Sequence, residues 1–237
     1  MKAIREMYGV KYFKYSERDY QFVNIVESLF GVSDLSRIHE INPHSEATSL
    51  FTNENDDQTF FHNKFYRKLN DGWPDLELAY RQFIKNFVAN ILDVNEIIFQ
   101  SKPTFRVQLP NNIAVGGNAG DKDDQYGWHR DSDPEYNHPL NEKNFIVPLT
   151  NSADSASVFI ETHPYTEIFK PAIMNVGEVF NFNGGQCKHG NKPNSTGLSR
   201  VSFDFRVVLP DDYDESYSKS SKISTKKFTI GGYYDKL

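Results

Sequence analysis

The chain has one cysteine, Cys187, so no intrachain disulfide can staple the fold and the composition suits a reducing compartment. It has no stretch approaching eighteen apolar residues, and Met1-Lys2-Ala3-Ile4-Arg5-Glu6 lacks the apolar core of a secretion signal. Basic residues are in deficit: 26 Lys and Arg against 32 Asp and Glu leave a net charge of −6. That balance argues against nucleic acid as the main partner, because phosphate binding needs a clustered positive surface. The expectation is a soluble cytoplasmic protein without membrane contact.

Aromatic residues are plentiful instead. Nineteen Phe and thirteen Tyr in 237 residues, with 38% hydrophobic residues, indicate a globular chain rich in sheet, since flat rings fit a half-buried pleated surface. This length can bury one sizeable core. Up to about residue 93 the apolar positions keep helical spacing. Residues 11–30 carry Phe22, Val23, Val26, Leu29 and Phe30, with a candidate cap at Ser16 and Asp19 three residues on. Residues 31–55 read as loops with one short helical turn. Phe60, Phe61, Phe65, Tyr66 and Leu69 mark a second helix, and Pro74 opens a third with Leu76, Ala79, Phe83, Phe87, Val88, Ile91 and Leu92 on its stripe.

After Asp93 the period becomes two. Strands are expected over 96–100, 104–109, 144–149, 157–161, 177–183 and 198–209, with a further strand-like stretch at 227–234. Residues 110–127, rich in Asn and Gly, form a long loop of the kind that lies over a functional mouth. Its Gly-Gly-Asn run lacks the Lys-Ser/Thr ending of a phosphate loop. Gly184-Gly185 predicts a turn at positive φ leading to His189.

Within this pattern Trp128-His129-Arg130-Asp131 places one imidazole and one carboxylate on the same side of an extended strand, with Trp128 and Arg130 on the other. A second imidazole is available at His189. Two His and one carboxylate form the facial triad of non-haem Fe(II) oxygenases, which leaves three coordination positions open. In Arg200 to Val207, Val201, Phe203, Phe205 and Val207 share one face while Arg200, Ser202, Asp204 and Arg206 share the other. Arg200 with Ser202 offers a planar fork and a hydroxyl to one carboxylate. Arg106 and Gln108 face together on a neighbouring strand. His39, His44 and His62 read as surface or capping histidines, His138 and His163 as loop histidines beside prolines, and Cys187 as a structural thiol.

His129-x-Asp131, then His189, then Arg200-x-Ser202 eleven residues later resemble the Fe(II)/2-oxoglutarate-dependent dioxygenases, over roughly residues 103–209. Lys188-His189-Gly190-Asn191 and Asn194-x-Thr196-Gly197-x-Ser199-Arg200 further resemble the small bacterial oxygenases of streptomycin-type and other carbohydrate biosynthesis clusters. The resemblance implies an α+β fold with a double-stranded β-helix core, a cupin-like jelly roll flanked by N-terminal helices. The expected single domain divides into a helical part at 1–95, a catalytic core at 96–210 and a tail at 211–237 that packs on the barrel or on another subunit of a homodimer. Implied cofactors are Fe(II), held by His129, Asp131 and His189, with 2-oxoglutarate and O2 as co-substrates. The far carboxylate of 2-oxoglutarate would meet Arg200 and Ser202. Asn144, Arg106 and Gln108 are further candidates for the co-substrate, and Arg206, Trp128 and Arg130 for the substrate.

The implied reaction is oxidation of an unactivated C–H bond in a small polar metabolite such as a sugar, aminocyclitol or nucleotide-sugar, with release of succinate and CO2. A carboxylate at 131, where halide-binding relatives carry Gly or Ala, argues for hydroxylation, desaturation, epimerisation or ring chemistry. The alternatives are a cupin-like metal-dependent isomerase and a non-catalytic jelly-roll sugar-binding module, because fold alone does not choose among them.

Overall fold

The computed structural model describes residues 5–7, 10–41, 60–112, 126–222 and 227–237. His44, Gly116, Gly117, Asn118 and Gly120 lie outside them, as does most of the loop expected over the mouth.

Two antiparallel sheets organise the described chain. Strands β1 (Arg5–Met7), β2 (Val10–Lys14), β3 (Ile98–Gln100), β4 (Thr104–Gln108), β6 (Lys143–Pro148), β9 (Glu178–Phe182), β11 (Arg200–Val208) and β12 (Tyr234–Lys236) form the larger sheet. Its order is β1-β2-β9-β6-β11-β3-β12, and β4 pairs with the first half of β11. Strands β5 (Tyr126–His129), β10 (His189–Asn191), β7 (Val158–Glu161) and β8 (Phe169–Ala172) form the smaller sheet, in that order.

Helices cover one face of the larger sheet. These are α1 (Glu17–Tyr20), α2 (Phe22–Phe30), α3 (Phe60–Asn70), α4 (Pro74–Phe83) and α5 (Ala89–Leu92), with a wider π turn at Ile84–Val88 joining the last two and a 3₁₀ stretch at Leu35–Ile41. Phe22, Val26 and Phe30 recur every four residues and are all buried, as the periodicity requires. They meet Phe105, Phe203 and their neighbours; Phe65 lies flat on Phe105 with ring centroids 4.3 Å apart. Each such buried ring stabilises the fold by about 1.5–3 kcal/mol. A second apolar cluster lies between the sheets, where Tyr12, Ile146, Phe180 and Phe182 meet Val158, Ile160 and Cys187. β11 is therefore divided as its alternation predicts: Val201, Phe203, Phe205 and Val207 pack with the helices, and the polar set faces the other way.

Several expectations are corrected. The helix expected within 11–30 is preceded by a strand at 10–14, because Val10 and Tyr12 point between the sheets while the backbone pairs with β9. Ser16 makes no side-chain cap; Glu17 instead accepts from the Val23 N–H at 2.7 Å, and Gln21 at φ 52° separates α1 from α2. His62 is 1% exposed and packs edge-on against Phe105, so it is a core residue rather than a surface or capping one; the half-buried His39 is bonded through Nδ1 to the Ser199 hydroxyl at 2.8 Å. Gly184 and Gly185 do not sit at positive φ; Gly184 is needed because a Cβ there would overlap the Asn144 amide. The late strand falls at β12 rather than 227–234, where Lys227 and Ile230 make only isolated bridges. The tail closes on the chain's own sheet, with Phe228, Tyr233 and Tyr234 packed against Ile98 and Val208.

Candidate metal centre

His129 ends β5 and His189 begins β10, and in the antiparallel register of these strands the two residues are direct partners. Cross-strand partners project to the same side, so the imidazoles come together with ring centroids 4.7 Å apart. On the reverse side the Trp128 indole lies against the Gly190 backbone, where a Cβ would overlap it, and its Nε1 donates to the Asn191 carbonyl at 2.8 Å.

Asp131 follows two residues after His129, its N–H bonded to the Gly184 carbonyl at 2.9 Å. Its Oδ1 lies 3.3 Å from His129 Nε2 and 3.5 Å from His189 Nε2. Adjacent donors about 2.1 Å from one octahedral ion are separated by about 3 Å, so the spacing suits a shared ion. The other oxygen is occupied: Oδ2 accepts from the Asn144 side-chain amide and from Arg206 Nε and Nη2 at 3.2 and 3.1 Å. Burial disfavours the Asp131 charge, but the Arg206 guanidinium, followed by His129 and His189, holds its carboxyl well below the usual range. His189 Nδ1 donates to the Cys187 carbonyl at 3.1 Å, which leaves Nε2 as the lone-pair nitrogen; burial pushes its pKa down to about 4, so the ring is neutral at pH 7. Two imidazoles and one anionic oxygen directed at one point are a donor set that fits Fe(II).

Asn144 and Arg206 therefore stand behind Asp131 rather than in open space. Asn144 Oδ1 also accepts from the Gly184 N–H at 3.0 Å. Arg206 reaches Asp204 at 3.0 Å, and Asp204 in turn takes Arg106 at 2.9 Å, a ladder of alternating charge along the interior of β11 and β4. Trp128 and Arg130 are held on the other side of β5. Trp128 meets Phe159 and Phe169, while Arg130 bonds Glu161 at 2.9 Å and the Gln186 carbonyl at 2.9 Å and lies over the Tyr165 ring. Their side chains do not meet the imidazoles, in keeping with the alternation of β5.

Arg200 is 2% exposed, and its hydrogen-bond partners among the described residues are neutral: Gln108 Oε1 at 3.2 Å, Ser202 Oγ at 3.4 Å and Asn191 Oδ1 at 2.7 Å. Among the described residues no carboxylate lies within ion-pair distance of it. Burial, then the nearby Arg106 charge, lowers its pKa to about 10. A buried guanidinium surrounded by amides and a hydroxyl is a seat for an anion. Asn191, invisible to periodicity, is part of it.

His138 lies in a loop, as its sequence beside Pro139 suggests. Its N–H donates to the Asp131 carbonyl and its Nδ1 lies 2.7 Å from Glu142, which also accepts from the Tyr234 hydroxyl. Donor atoms of Asp131, His138 and Glu142 come within 4.8 Å of one another, but Arg206 already supplies the positive charge at this group. His163 is exposed in its loop. A cleft of about 500 Å³ beside the loop after Asp131 is lined by Ser132, His138, Leu140, Tyr213 and Tyr217 among others, and by none of the three candidate ligands.

No family model matches the chain. It is 29% identical over 222 residues to the streptomycin biosynthesis protein StrG of Streptomyces griseus, covering 94% of this chain and 96% of StrG. Its fold is similar to that of AviO1 from Streptomyces viridochromogenes Tue57, with a TM-score of 0.51 at 15% identity over 85% of this chain and 90% of AviO1. SnoK, a non-heme alpha ketoglutarate dependent carbocyclase from nogalamycin biosynthesis, superposes with a TM-score of 0.49 at 11% identity over 84% of this chain and 79% of SnoK. Among the described residues no helix is long and apolar enough to cross a membrane.

Proposed function

We propose that this chain is a single-domain Fe(II)/2-oxoglutarate-dependent oxygenase of the cytoplasm, built on a double-stranded β-helix, that oxidises a C–H bond of a small polar biosynthetic metabolite. The observation that carries the reading is the convergence of His129 Nε2, His189 Nε2 and one oxygen of Asp131 beside a buried Arg200 that has no carboxylate partner among the described residues. Similarity to StrG along nearly the whole chain supports a biosynthetic role.

In this reading His129, Asp131 and His189 hold the iron, and Arg200 with Ser202 and Gln108 holds the far carboxylate of 2-oxoglutarate. Bound iron supplies O2 activation coupled to oxidation of 2-oxoglutarate to succinate and CO2. The chain's own part is placement. Arg206 and Asn144 keep Asp131 charged and oriented through Oδ2, the Cys187 carbonyl fixes the His189 tautomer, and Phe182, edge-on to His189 at 5.0 Å, helps exclude water.

Succinate formation dependent on added Fe(II) and 2-oxoglutarate tests the proposal. His129→Ala is expected to abolish it, and full turnover in that variant would remove the histidine from the site. Arg200→Ala is expected to raise the 2-oxoglutarate requirement roughly tenfold to a hundredfold, the equivalent of one lost charge-assisted pair. An unchanged requirement would move the anchor elsewhere. A cupin-like isomerase would form no succinate with either protein.

A further inference from the structure

We propose that Tyr136 is a positioning residue of the metal centre and that the C-terminal segment holds it in place. The inference rests on reading His129, Asp131 and His189 as metal ligands. The Tyr136 ring lies nearly parallel to the His129 imidazole, with centroids 4.1 Å apart and planes at 21°. His189 is oriented through Nδ1 and by Phe182, whereas His129 has this ring laid along its face. A ligand ring backed by a flat neighbour loses less orientational freedom when its nitrogen binds an ion. Burial, then the neighbouring Glu135 charge, pushes the Tyr136 hydroxyl up to about 12, so the side chain presents a neutral ring at physiological pH.

Tyr136 sits in the loop that follows Asp131, where its N–H and that of Asn137 both donate to the Asp133 carbonyl. Asn137 is at φ 54°, so the turn depends on a residue that tolerates the left-handed region. The C-terminal segment grips both flanks of the ring. On one side the Lys222 N–H donates to the Glu135 carbonyl at 3.0 Å; on the other the Tyr217 hydroxyl donates to the Asn137 carbonyl at 2.7 Å and Asn137 Nδ2 donates to the Ser220 carbonyl at 3.0 Å. Tyr217 and Ser220 are themselves held, because Tyr217 packs edge-on against Phe228 and Ser220 bridges Lys227, and Phe228 packs with Ile98 and Val208 of the larger sheet. Contacts among the described residues thus link the larger sheet through Phe228, Tyr217 and Asn137 to the loop that lays Tyr136 on His129.

Cobalt(II) titration of the full-length apoprotein, followed by visible absorption, reads this without turnover. Tyr136→Ala is expected to weaken Co(II) binding about tenfold or more, the range typical for groups that orient a ligand, and to change the band shape. Tyr136→Phe is expected to bind as the wild type does, because the ring face is retained. Asn137→Gly combined with Tyr217→Phe keeps the ring and the permitted φ but cuts two grips, and is expected to weaken binding about threefold or more. Wild-type affinity and spectrum in Tyr136→Ala would overturn the inference, as would a loss in Tyr136→Phe equal to that in Tyr136→Ala; wild-type affinity in the double variant would overturn the role of the tail. The underlying triad has a separate readout: wild-type protein that takes up no Co(II), or His129→Ala that takes it up unchanged, would fail the metal site itself.

Discussion

At Arg206 one guanidinium touches two carboxylates, the buried Asp131 at 3.1 Å and the half-buried Asp204 at 3.0 Å, and sits 7% exposed. Replacing it by Leu strands the Asp131 charge in a medium that solvates it poorly, while Asp204 keeps Arg106. Arg206→Leu is expected to lower stability by about 3–5 kcal/mol in urea unfolding and to weaken metal binding as Asp131 loses its orientation. Unchanged stability would mean that water replaces the guanidinium. Residues at this scale were unevenly legible. His129 and Asp131 could be paired from a spacing of two on a strand, and Arg200 with Ser202 from alternation. The bracing roles of Asn144 and Arg206 could not, because they depend on which strand lies opposite, and the stacking of Tyr136 could not, because loop residues carry no period.

Among the elements, β5 and β10 carry the central geometry, and their pairing depends on the Trp128 indole lying flat on Gly190. Gly190→Ala forces the indole away and shifts the His129–His189 register partners. The expected outcome is a loss of about 1–3 kcal/mol together with weaker Co(II) binding; a variant that binds as tightly as the wild type would show that the strands are registered by other contacts. α2, the Pro74 helix and β11 were legible because each has one clean period over nine residues or more. β2 was hidden because Val10, Tyr12 and Phe13 run into a helical stripe. β8 was hidden because Phe169-Lys170-Pro171-Ala172 contains a proline, tolerated there because β8 pairs on one side only, at the edge of its sheet.

For the molecule as a whole, the helical layer contains an acid-sensitive point at His62, whose pKa burial lowers from 6.5 to about 4. The unfolded chain binds this proton at a higher pH than the folded one, so stability is full above about 6.5 and falls as the pH drops toward 4. The loss attributable to His62 is about 3 kcal/mol. His62→Phe is expected to flatten the acid limb of a Tm-against-pH profile, and an unaltered limb would assign it to other groups. The two-sheet architecture was legible from the run of short strands after Asp93, but the closure of residues 227–237 onto β3 was not, since it rests on aromatic contacts between segments far apart in the chain.

The central claim is that three separated side chains and a buried arginine form one site for Fe(II) and 2-oxoglutarate. Anaerobic addition of both to the apoprotein tests it most directly, by visible absorption. A metal-to-ligand charge-transfer band that appears in the wild type, is absent from His189→Ala, and needs more 2-oxoglutarate in Arg200→Ala is the predicted result. No band in folded wild-type protein, or the same band in His189→Ala, would contradict the account.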